Sequence, residues 1–321
     1  EVYPQYFPKQ NTELEAYQQI EKDLLDAVLY APDNTPGNKT LFSKSVARTL
    51  LAKIYAEKPL RDYTKVIQYC DEVKADGFDL VDDFSDLFGM NAAGTDAKMR
   101  NTKESILEAQ FTSGAGNWCT WMFGRDLVNW NNNFTWAKWV TPSRDLISAF
   151  KQEGDEVRFK ESIVYYDCNW SNYYPSDNYP FMYKCRSANS SIIKYRYADV
   201  LLLKAEALIM QDTPDLEGAA DIIDEVRDRA KLGALPTSVR SNKNVLLNAL
   251  LKERRLELAF EGQRWFDLVR LDKVEEVMNA VYSKDSGRKA QIYTFDKNSY
   301  RLPIPQSVID ANDKIHQNPG Y

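Results

Sequence analysis

Residues 253–270 read Glu-Arg-Arg-Leu-Glu-Leu-Ala-Phe-Glu-Gly-Gln-Arg-Trp-Phe-Asp-Leu-Val-Arg. This stretch predicts two consecutive helices, at about 244–260 and 264–281, with a hinge at Gly262. Glycine suits such a hinge because it adopts backbone conformations that other residues avoid. The stretch therefore predicts one helix pair near the C-terminal end of the chain.

The same stretch interleaves four carboxylates with four arginines: Glu253, Glu257, Glu261 and Asp267 with Arg254, Arg255, Arg264 and Arg270. A catalytic acid and base need environments that push two carboxyl pKa values apart. Carboxylates surrounded by arginines should instead all stay ionised. We therefore interpret this set as a salt-bridged brace between helices and predict no catalytic residue in it.

Two earlier segments, 43–75 and 197–230, have the same layout of two helices separated by a short turn. The first contains Ala47 and Ala52 where helices would approach closely, and Ser43 is a candidate N-cap. A further amphipathic helix is expected over 14–28 from apolar residues at steps of three and four. Three pairs of this size predict an all-α scaffold of stacked, tetratricopeptide-like helix pairs.

An irregular, aromatic-rich insertion with little sheet is expected between the helical blocks. Residues 104–111 alternate well enough for one short strand, and Thr141-Pro142-Ser143 is typical of a helix start. Residues 112–139 and 165–185 are rich in Gly, Asn, Ser and aromatic residues, and we interpret both as loops.

These two loops contain the candidate binding residues. Indole and phenol rings can stack on the C–H face of a pyranose, and amides both donate to and accept from hydroxyl groups. The alternative is that the rings only fill irregular structure. Our candidate ligand-binding set is Trp118, Trp121, Arg125, Trp130, Asn131, Asn132, Trp136, Tyr173 and Tyr174.

Several classes of function are disfavoured by composition. The chain has 41 basic and 47 acidic residues without a basic stripe, so nucleic acid is not an expected partner. His316 is the only histidine, and the four cysteines lack CxxC spacing, so neither a metal site nor a cofactor is predicted. Asp82, Asp83 and Asp86 lack the spacing of a calcium loop and are expected to form a solvated helix start.

Four segments carry a further signal: Lys194-Tyr-Arg-Tyr-Ala-Asp-Val-Leu-Leu-Leu-Lys-Ala-Glu-Ala207, Val226-Arg-Asp-Arg-Ala-Lys-Leu232, Glu253 to Arg270, and Tyr300 to Tyr321 with its Leu-Pro-Ile-Pro and Asn-Pro-Gly-Tyr. In these segments, and in their order, the chain resembles the SusD/RagB family, which captures nutrients for Gram-negative bacteria. The resemblance implies one SusD-like domain over 1–321. Its parts would be a first helical block at 13–111, a variable insertion at 112–190 and a C-terminal helical block at 191–321.

The resemblance also implies partners and a location. Family members are outer-membrane lipoproteins that cover a SusC-like TonB-dependent transporter, so a surface-exposed location is expected. Membrane attachment would use an N-terminal lipid, and both this lipid and the N-terminal part of the family pattern are expected to be absent from this chain. Ligand specificity in such proteins comes from variable aromatic residues in the insertion.

The function we expect is non-catalytic binding of an oligosaccharide or polysaccharide and its delivery to the transporter. Three alternatives stay open. A RagB-type protein would bind peptides, for which an aromatic platform is less suited. A glycoside hydrolase would place two carboxylates among the aromatic residues. A pure repeat scaffold would bury the tryptophans and bind protein partners.

Overall fold

A computed structural model describes residues 7–112, 116–117, 141–167, 173–284 and 294–321. Helices dominate these residues, and the bounds of the thirteen α-helices among them are Glu13–Tyr30 (α1), Lys44–Ala56 (α2), Tyr63–Ala75 (α3), Ser85–Phe88 (α4), Arg144–Glu153 (α5), Glu156–Ser162 (α6), Tyr197–Met210 (α7), Leu216–Arg229 (α8), Thr237–Arg240 (α9), Lys243–Glu257 (α10), Arg264–Arg270 (α11), Val274–Lys284 (α12) and Gln306–Ala311 (α13). A 3-10 helix spans Lys297–Tyr300. The described residues also form four strands: Ser105–Ala109 (β1), Ile163–Tyr166 (β2), Tyr179–Met182 (β3) and Ile192–Arg196 (β4).

The first two predicted helix pairs are present as α2–α3 and α7–α8, and the predicted helix at 244–260 is present as α10. The prediction of one helix over 264–281 was wrong, because this range forms two helices, α11 and α12, with Asp272 at φ +55° between them. Helix α3 packs against α7, and α10 packs against both α7 and α8, so the pairs share one apolar core. Ala47 and Ala52 are buried in it, which allows the close helix approach expected from their size. Burial of these faces, rather than helix propensity alone, holds such short helices in place.

Helix ends follow the local chemistry of the sequence. Thr12 forms a capping box with Glu15 at the start of α1, and the Asp62 carboxylate accepts from the backbone N–H of Lys65 at the start of α3. Ser43 is the N-cap of α2, as predicted, although its side chain makes no capping hydrogen bond. Gly262 has φ +79° between α10 and α11, a left-handed conformation that confirms the predicted hinge.

Two small antiparallel sheets connect the helical blocks. Strand β1 lies within the predicted strand at 104–111 and pairs with β4, which leads directly into α7. The interpretation of 165–185 as loop throughout was wrong, because β2 pairs with β3 from Ile163–Met182 to Tyr166–Tyr179. All four residues of β3 are buried, so the alternation that marks a half-exposed strand is missing from its sequence.

The two ends of the described chain lie side by side. The Asn312 amide donates to the carbonyl of Pro8 at 2.9 Å, and the backbone N–H of His316 donates to the Gln10 side chain at 2.9 Å. None of the helices in the described residues is long and apolar enough to cross a lipid bilayer.

Candidate functional site

The structure describes two of the nine predicted ligand-binding residues, Tyr173 and Tyr174. The other seven lie outside the described residues: Trp118, Trp121, Arg125, Trp130, Asn131, Asn132 and Trp136. The structure therefore describes one part of the predicted set, the contacts of Tyr173 and Tyr174, which together with Arg144 are called the aromatic base.

Arg144, the first residue of α5, forms the centre of this base. Its guanidinium carbon lies 4.2 Å from the ring centroid of Tyr173 and 4.4 Å from that of Tyr174. The same guanidinium donates a hydrogen bond to the backbone carbonyl of Tyr173. A cation over an aromatic face contributes about 0.5–1 kcal/mol when exposed and about 2 kcal/mol when desolvated.

The two tyrosines contact each other edge to face, with ring centroids 4.9 Å apart and planes at 88°. This geometry is the preferred one for aromatic pairs because the positive ring edge meets the negative ring face. Tyr174 also contacts the buried Tyr179 edge-on, at 5.6 Å and 80°. Both predicted residues are half-buried, so their rings are fixed by packing on one side.

Two hydrogen bonds join the segment that begins at residue 141 to the segment that begins at residue 173. The Tyr174 hydroxyl donates to the carbonyl of Pro142 at 2.8 Å. The hydroxyls of Thr141 and Tyr179 are 2.9 Å apart. Thr141 and Pro142 therefore lie directly beside Tyr174 and Tyr179.

Arg144 was not among the predicted site residues. A signal for it was present, because a cation at the first position of a helix opposes the helix dipole, which favours carboxylates there. Such a local conflict points to a side chain with a role outside its own helix. Ser143 caps α5 through its hydroxyl, which accepts from the backbone N–H of Leu146 at 3.1 Å.

Behind the aromatic base lies a buried network of charged residues around Glu257. Its carboxylate accepts hydrogen bonds from Arg158 at 3.0 Å, from Arg196 at 2.5 Å and from Arg229. Burial by itself raises the pKa of Glu257, but attraction to Arg229, Arg196 and Arg158 outweighs it and holds the pKa well below its usual range. Glu257 is therefore ionised at neutral pH.

The neighbours of Glu257 are paired in the same manner. Glu253 accepts from Arg158 at 2.5 Å. Burial raises the pKa of Glu253, and the attraction to Arg158 and Arg227 offsets this effect only in part. Glu261 accepts from Lys184 at 2.6 Å and from Arg196 at 2.6 Å. Burial lowers the pKa of Lys184 to about 8.

A second set of ion pairs joins α7, α10 and α11. Asp267 accepts from Arg254 at 2.8 Å and from Arg270 at 2.8 Å, while Arg270 also binds Glu206 on α7 at 2.7 Å. The predicted brace is thus confirmed for Arg254, Arg255 and Arg270, whereas Arg264 donates to the backbone carbonyl of Leu251 at 3.0 Å. Most of its partners, including Arg158, Arg196 and Arg229, come from outside the 253–270 stretch and were not predicted.

The network reaches the aromatic base through one ion pair. Arg255 on α10 lies 2.6 Å from Asp145, the neighbour of Arg144 on α5. Side-chain exposure of only 21% for Arg255 and 17% for Asp145 limits screening by solvent. This pair ties the first turn of α5, and with it Arg144, to the helical scaffold.

The aspartates near α4 are bound to lysines. Lys98 lies 3.1 Å from Asp83 and 2.6 Å from Asp86, while Lys103 lies 3.1 Å from Asp82. The backbone N–H of Ser85, together with Lys98, lowers the pKa of Asp83 to about 2. A cluster of potential metal ligands is not present in the described parts of the chain.

Comparison with known proteins identifies the class to which this fold belongs. Residues 179–321 match the sequence model of the SusD family. A SusD-like protein of Formosa agariphila is 43% identical over 99 residues, which are 29% of this chain and 19% of that protein's length.

Solved structures extend the comparison to the whole chain. A SusD-like protein from Bacteroides fragilis superposes with a TM-score of 0.76 at 22% identity, covering 100% of this chain and 74% of that chain. A laminarin binding SusD-like protein superposes with a TM-score of 0.69 at 25% identity, covering 96% and 69% of the two chains. The predicted all-α, tetratricopeptide-like fold is thereby confirmed. Residues 179–321 thus resemble the SusD family in sequence, and the chain shares the fold of SusD-like proteins.

Proposed function

We propose that this protein binds a glycan at the bacterial cell surface and delivers it, without cleaving it, to a SusC-like TonB-dependent transporter. The observation that carries the proposal is the aromatic base formed by Arg144, Tyr173 and Tyr174. Aromatic faces on a rigid scaffold suit sugars, because an apolar C–H face can stack on a ring while hydroxyls stay hydrated.

The surroundings of this base support sugar binding. It is built on a fold shared with a laminarin binding SusD-like protein. We propose that Trp118, Trp121, Trp130 and Trp136 supply further stacking faces, and that Arg125, Asn131 and Asn132 bind hydroxyls. Each stack or hydrogen bond contributes on the order of 1 kcal/mol, so an affinity of modest strength is expected.

The absence of a catalytic role is part of the proposal. A glycosidase needs one carboxylic acid that keeps its proton and one carboxylate near it in the sugar site. The carboxylates of the 253–270 stretch are bound to arginines or Lys184 and serve the scaffold. Asp145, the acid next to Arg144, is bound to Arg255.

The resemblance to the SusD family extends the same proposal to location and architecture. The protein would be a surface-exposed outer-membrane lipoprotein attached through an N-terminal lipid. The domain would span 1–321, with helical blocks at 13–111 and 191–321 and the binding insertion at 112–190. The segment matched to the curated relative spans 19% of that protein's length.

The proposal is tested by measuring tryptophan fluorescence and binding heat against plant, microbial and host glycans, with chromatography to detect cleavage products. Binding without product supports the proposal. Binding of a peptide library but no glycan would favour the RagB-type alternative. Product formation would identify a glycosidase.

A further inference from the structure

A small pocket opens where α3, α7 and α8 meet, and no residue of the aromatic base lines it. Its volume is about 40 Å³. The floor is apolar and consists of three buried residues and one half-buried residue: Cys70, Val200, Leu201 and Ile222. Since one water needs about 10–15 Å³ of such space, the pocket accepts a group of about three or four non-hydrogen atoms. Such a group is a substituent of a sugar ring rather than the ring itself.

Tyr197, the first residue of α7, also lines the pocket and is only 2% exposed. Within the described residues, its hydroxyl has no hydrogen-bond partner. Burial raises the pKa of this hydroxyl, and the charge of Glu225 raises it further, so the hydroxyl keeps its proton. Of the four titratable groups that act on it, three line the pocket: Glu225, Cys70 and Asp71. The Tyr197 hydroxyl is therefore a donor on the pocket side of the ring.

A buried hydroxyl without a partner is unfavourable, because folding has removed its hydrogen bonds to water without replacing them. A ligand atom that accepts a hydrogen bond from Tyr197 would remove this penalty. The pocket is thus matched to a ligand with an acceptor at its inner end.

The rim of the pocket carries two carboxylates and two ammonium groups, from Asp71, Glu225, Lys74 and Lys204. Lys204 is paired with Asp71 at 2.5 Å. Glu225 makes no hydrogen bond or ion pair within the part of the chain that the structure describes, although Lys74 attracts its charge. The charges of the rim cancel, so the pocket does not select a charged group. Glu225 instead offers a free acceptor near the Tyr197 donor.

An acetamido group satisfies these features together. Its methyl group matches the apolar floor, and its carbonyl oxygen can accept from the Tyr197 hydroxyl. Its N–H can donate to the Glu225 carboxylate. The group is neutral and has the size that the pocket accepts. A sugar ring that bears it would stay at the rim, where Lys74 and Lys204 can donate to ring hydroxyls.

A peptide amide has the same donor and acceptor, but it continues as a chain on both sides. Recognition of extended peptides uses a sheet edge or a long groove. This pocket lies among three helices and holds one small group. Its shape therefore favours a substituent that ends inside the pocket, as the acetyl group of a sugar does.

We infer that the pocket between α3, α7 and α8 is a second carbohydrate site, which binds the acetamido group of an N-acetylated sugar with Tyr197 as donor and Glu225 as acceptor. The inference goes beyond the proposed function and rests on it only for the choice of a sugar over a peptide. The aromatic base and this pocket would then bind different parts of a glycan or different glycans.

Saturation-transfer NMR on the full chain tests the site with methyl N-acetyl-β-glucosaminide, methyl β-glucoside and N-acetylalanine methylamide. We expect the glucosaminide to bind with a dissociation constant on the order of 1 mM and to receive most saturation at its acetyl methyl group. Methyl β-glucoside, which lacks the acetamido group, should bind about tenfold more weakly or not at all.

Two variants locate the bound probe. Tyr197→Phe removes the donor and should weaken glucosaminide binding about fivefold. Ile222→Phe places a larger side chain on the pocket floor and should abolish binding. Thermal unfolding confirms that each variant is folded.

Tyr63→Phe is the matched control. The Tyr63 hydroxyl is also buried without a hydrogen-bond partner in the described residues, but Tyr63 does not line the pocket. Its loss should leave glucosaminide affinity unchanged.

The outcomes separate the inference from the proposed function. Equal glucosaminide affinity of Ile222→Phe and wild type, or no binding to wild type, would overturn the assignment of this pocket. Binding of N-acetylalanine methylamide without the glucosaminide would overturn the sugar and identify a peptide amide. If every member of the wider glycan panel fails to bind, the proposed function falls, while the glucosaminide result still decides the inference.

Discussion

Arg196 donates two hydrogen bonds to Glu257, one to the side-chain Oε1 at 2.5 Å and one to the backbone carbonyl at 2.8 Å. The first residue ends β4, just before α7, and the second ends α10. Arg196 also binds Glu104 at 2.7 Å, immediately before β1. One arginine thus joins the sheet between the helical blocks to the C-terminal helix pair.

Removing the charge of Glu257 should destabilise the fold severely. Glu257→Gln leaves Arg158, Arg196 and Arg229 with one fewer buried counter-charge, and breaking a buried ion pair on one side destabilises by about 3–5 kcal/mol. Urea unfolding measures the loss. The control is Glu217→Gln, whose carboxylate is 72% exposed beside Arg240 and should change stability by less than about 0.5 kcal/mol. Equal losses in the two variants would contradict the role given to the network.

Stability in acid should depend on Glu257 and Glu253 in opposite directions. The folded pKa of Glu257 lies below its usual value of 4.5, so its stabilisation is complete above that pH and is lost as the pH falls toward the folded pKa. The folded pKa of Glu253 is raised by burial, so the folded state binds this proton first and acidification favours folding through it.

Below about pH 5, the free energy of unfolding of Glu257→Gln should therefore fall less steeply with decreasing pH than that of wild type. For Glu253→Gln the fall should be at least as steep as in wild type. The measurement is the urea midpoint as a function of pH for both variants. An acid dependence that stays as steep in Glu257→Gln as in wild type would show that the stabilising charge lies elsewhere.

Lys184 should produce a pH dependence on the alkaline side. Burial lowers its pKa from 10.5 to about 8, so between these values the unfolded chain binds more protons than the folded one. Through this group, stability rises with pH over that interval. The unfolding free energy of wild type minus that of Lys184→Met should therefore increase from pH 8 to pH 10.5, and a flat difference would rule out the lowered pKa.

The cap of α5 should matter more than the cap of α2. Ser143→Ala removes a hydroxyl that accepts from the backbone N–H of Leu146, which destabilises by about 1 kcal/mol. Ser43→Ala changes the same residue type at the N-cap of α2, where the side chain makes no capping hydrogen bond, so its loss should be smaller. Thermal unfolding of both variants checks the order, and the reverse order would contradict it.

The helical scaffold could be predicted because its signals are local. Gly262 interrupts two helices, small residues such as Ala47 mark close packing, and the period of apolar residues marks the buried faces. Strand β3 could not be predicted in this way, because Tyr179 to Met182 are buried on both faces and show no alternation.

The buried network was predictable in kind but not in its partners. The carboxylates of the 253–270 stretch indicated a brace, yet Arg158 and Arg229 reach Glu257 from α6 and α8, a juxtaposition that only the tertiary fold creates. The same holds for Arg144, whose contact with Tyr173 joins two segments separated by 29 positions. Pairings across such distances leave no periodic trace in a single sequence.

Glycan binding by the intact chain is the measurement that tests the central claim most directly. Tryptophan fluorescence and calorimetry would compare wild type with Trp118→Ala, Trp121→Ala and Trp130→Ala against plant, microbial and host glycans, with chromatography of each mixture. We expect at least one glycan to bind without cleavage, and binding to weaken in at least one variant that stays folded. Binding of no glycan, or release of a cleaved product, would contradict the account.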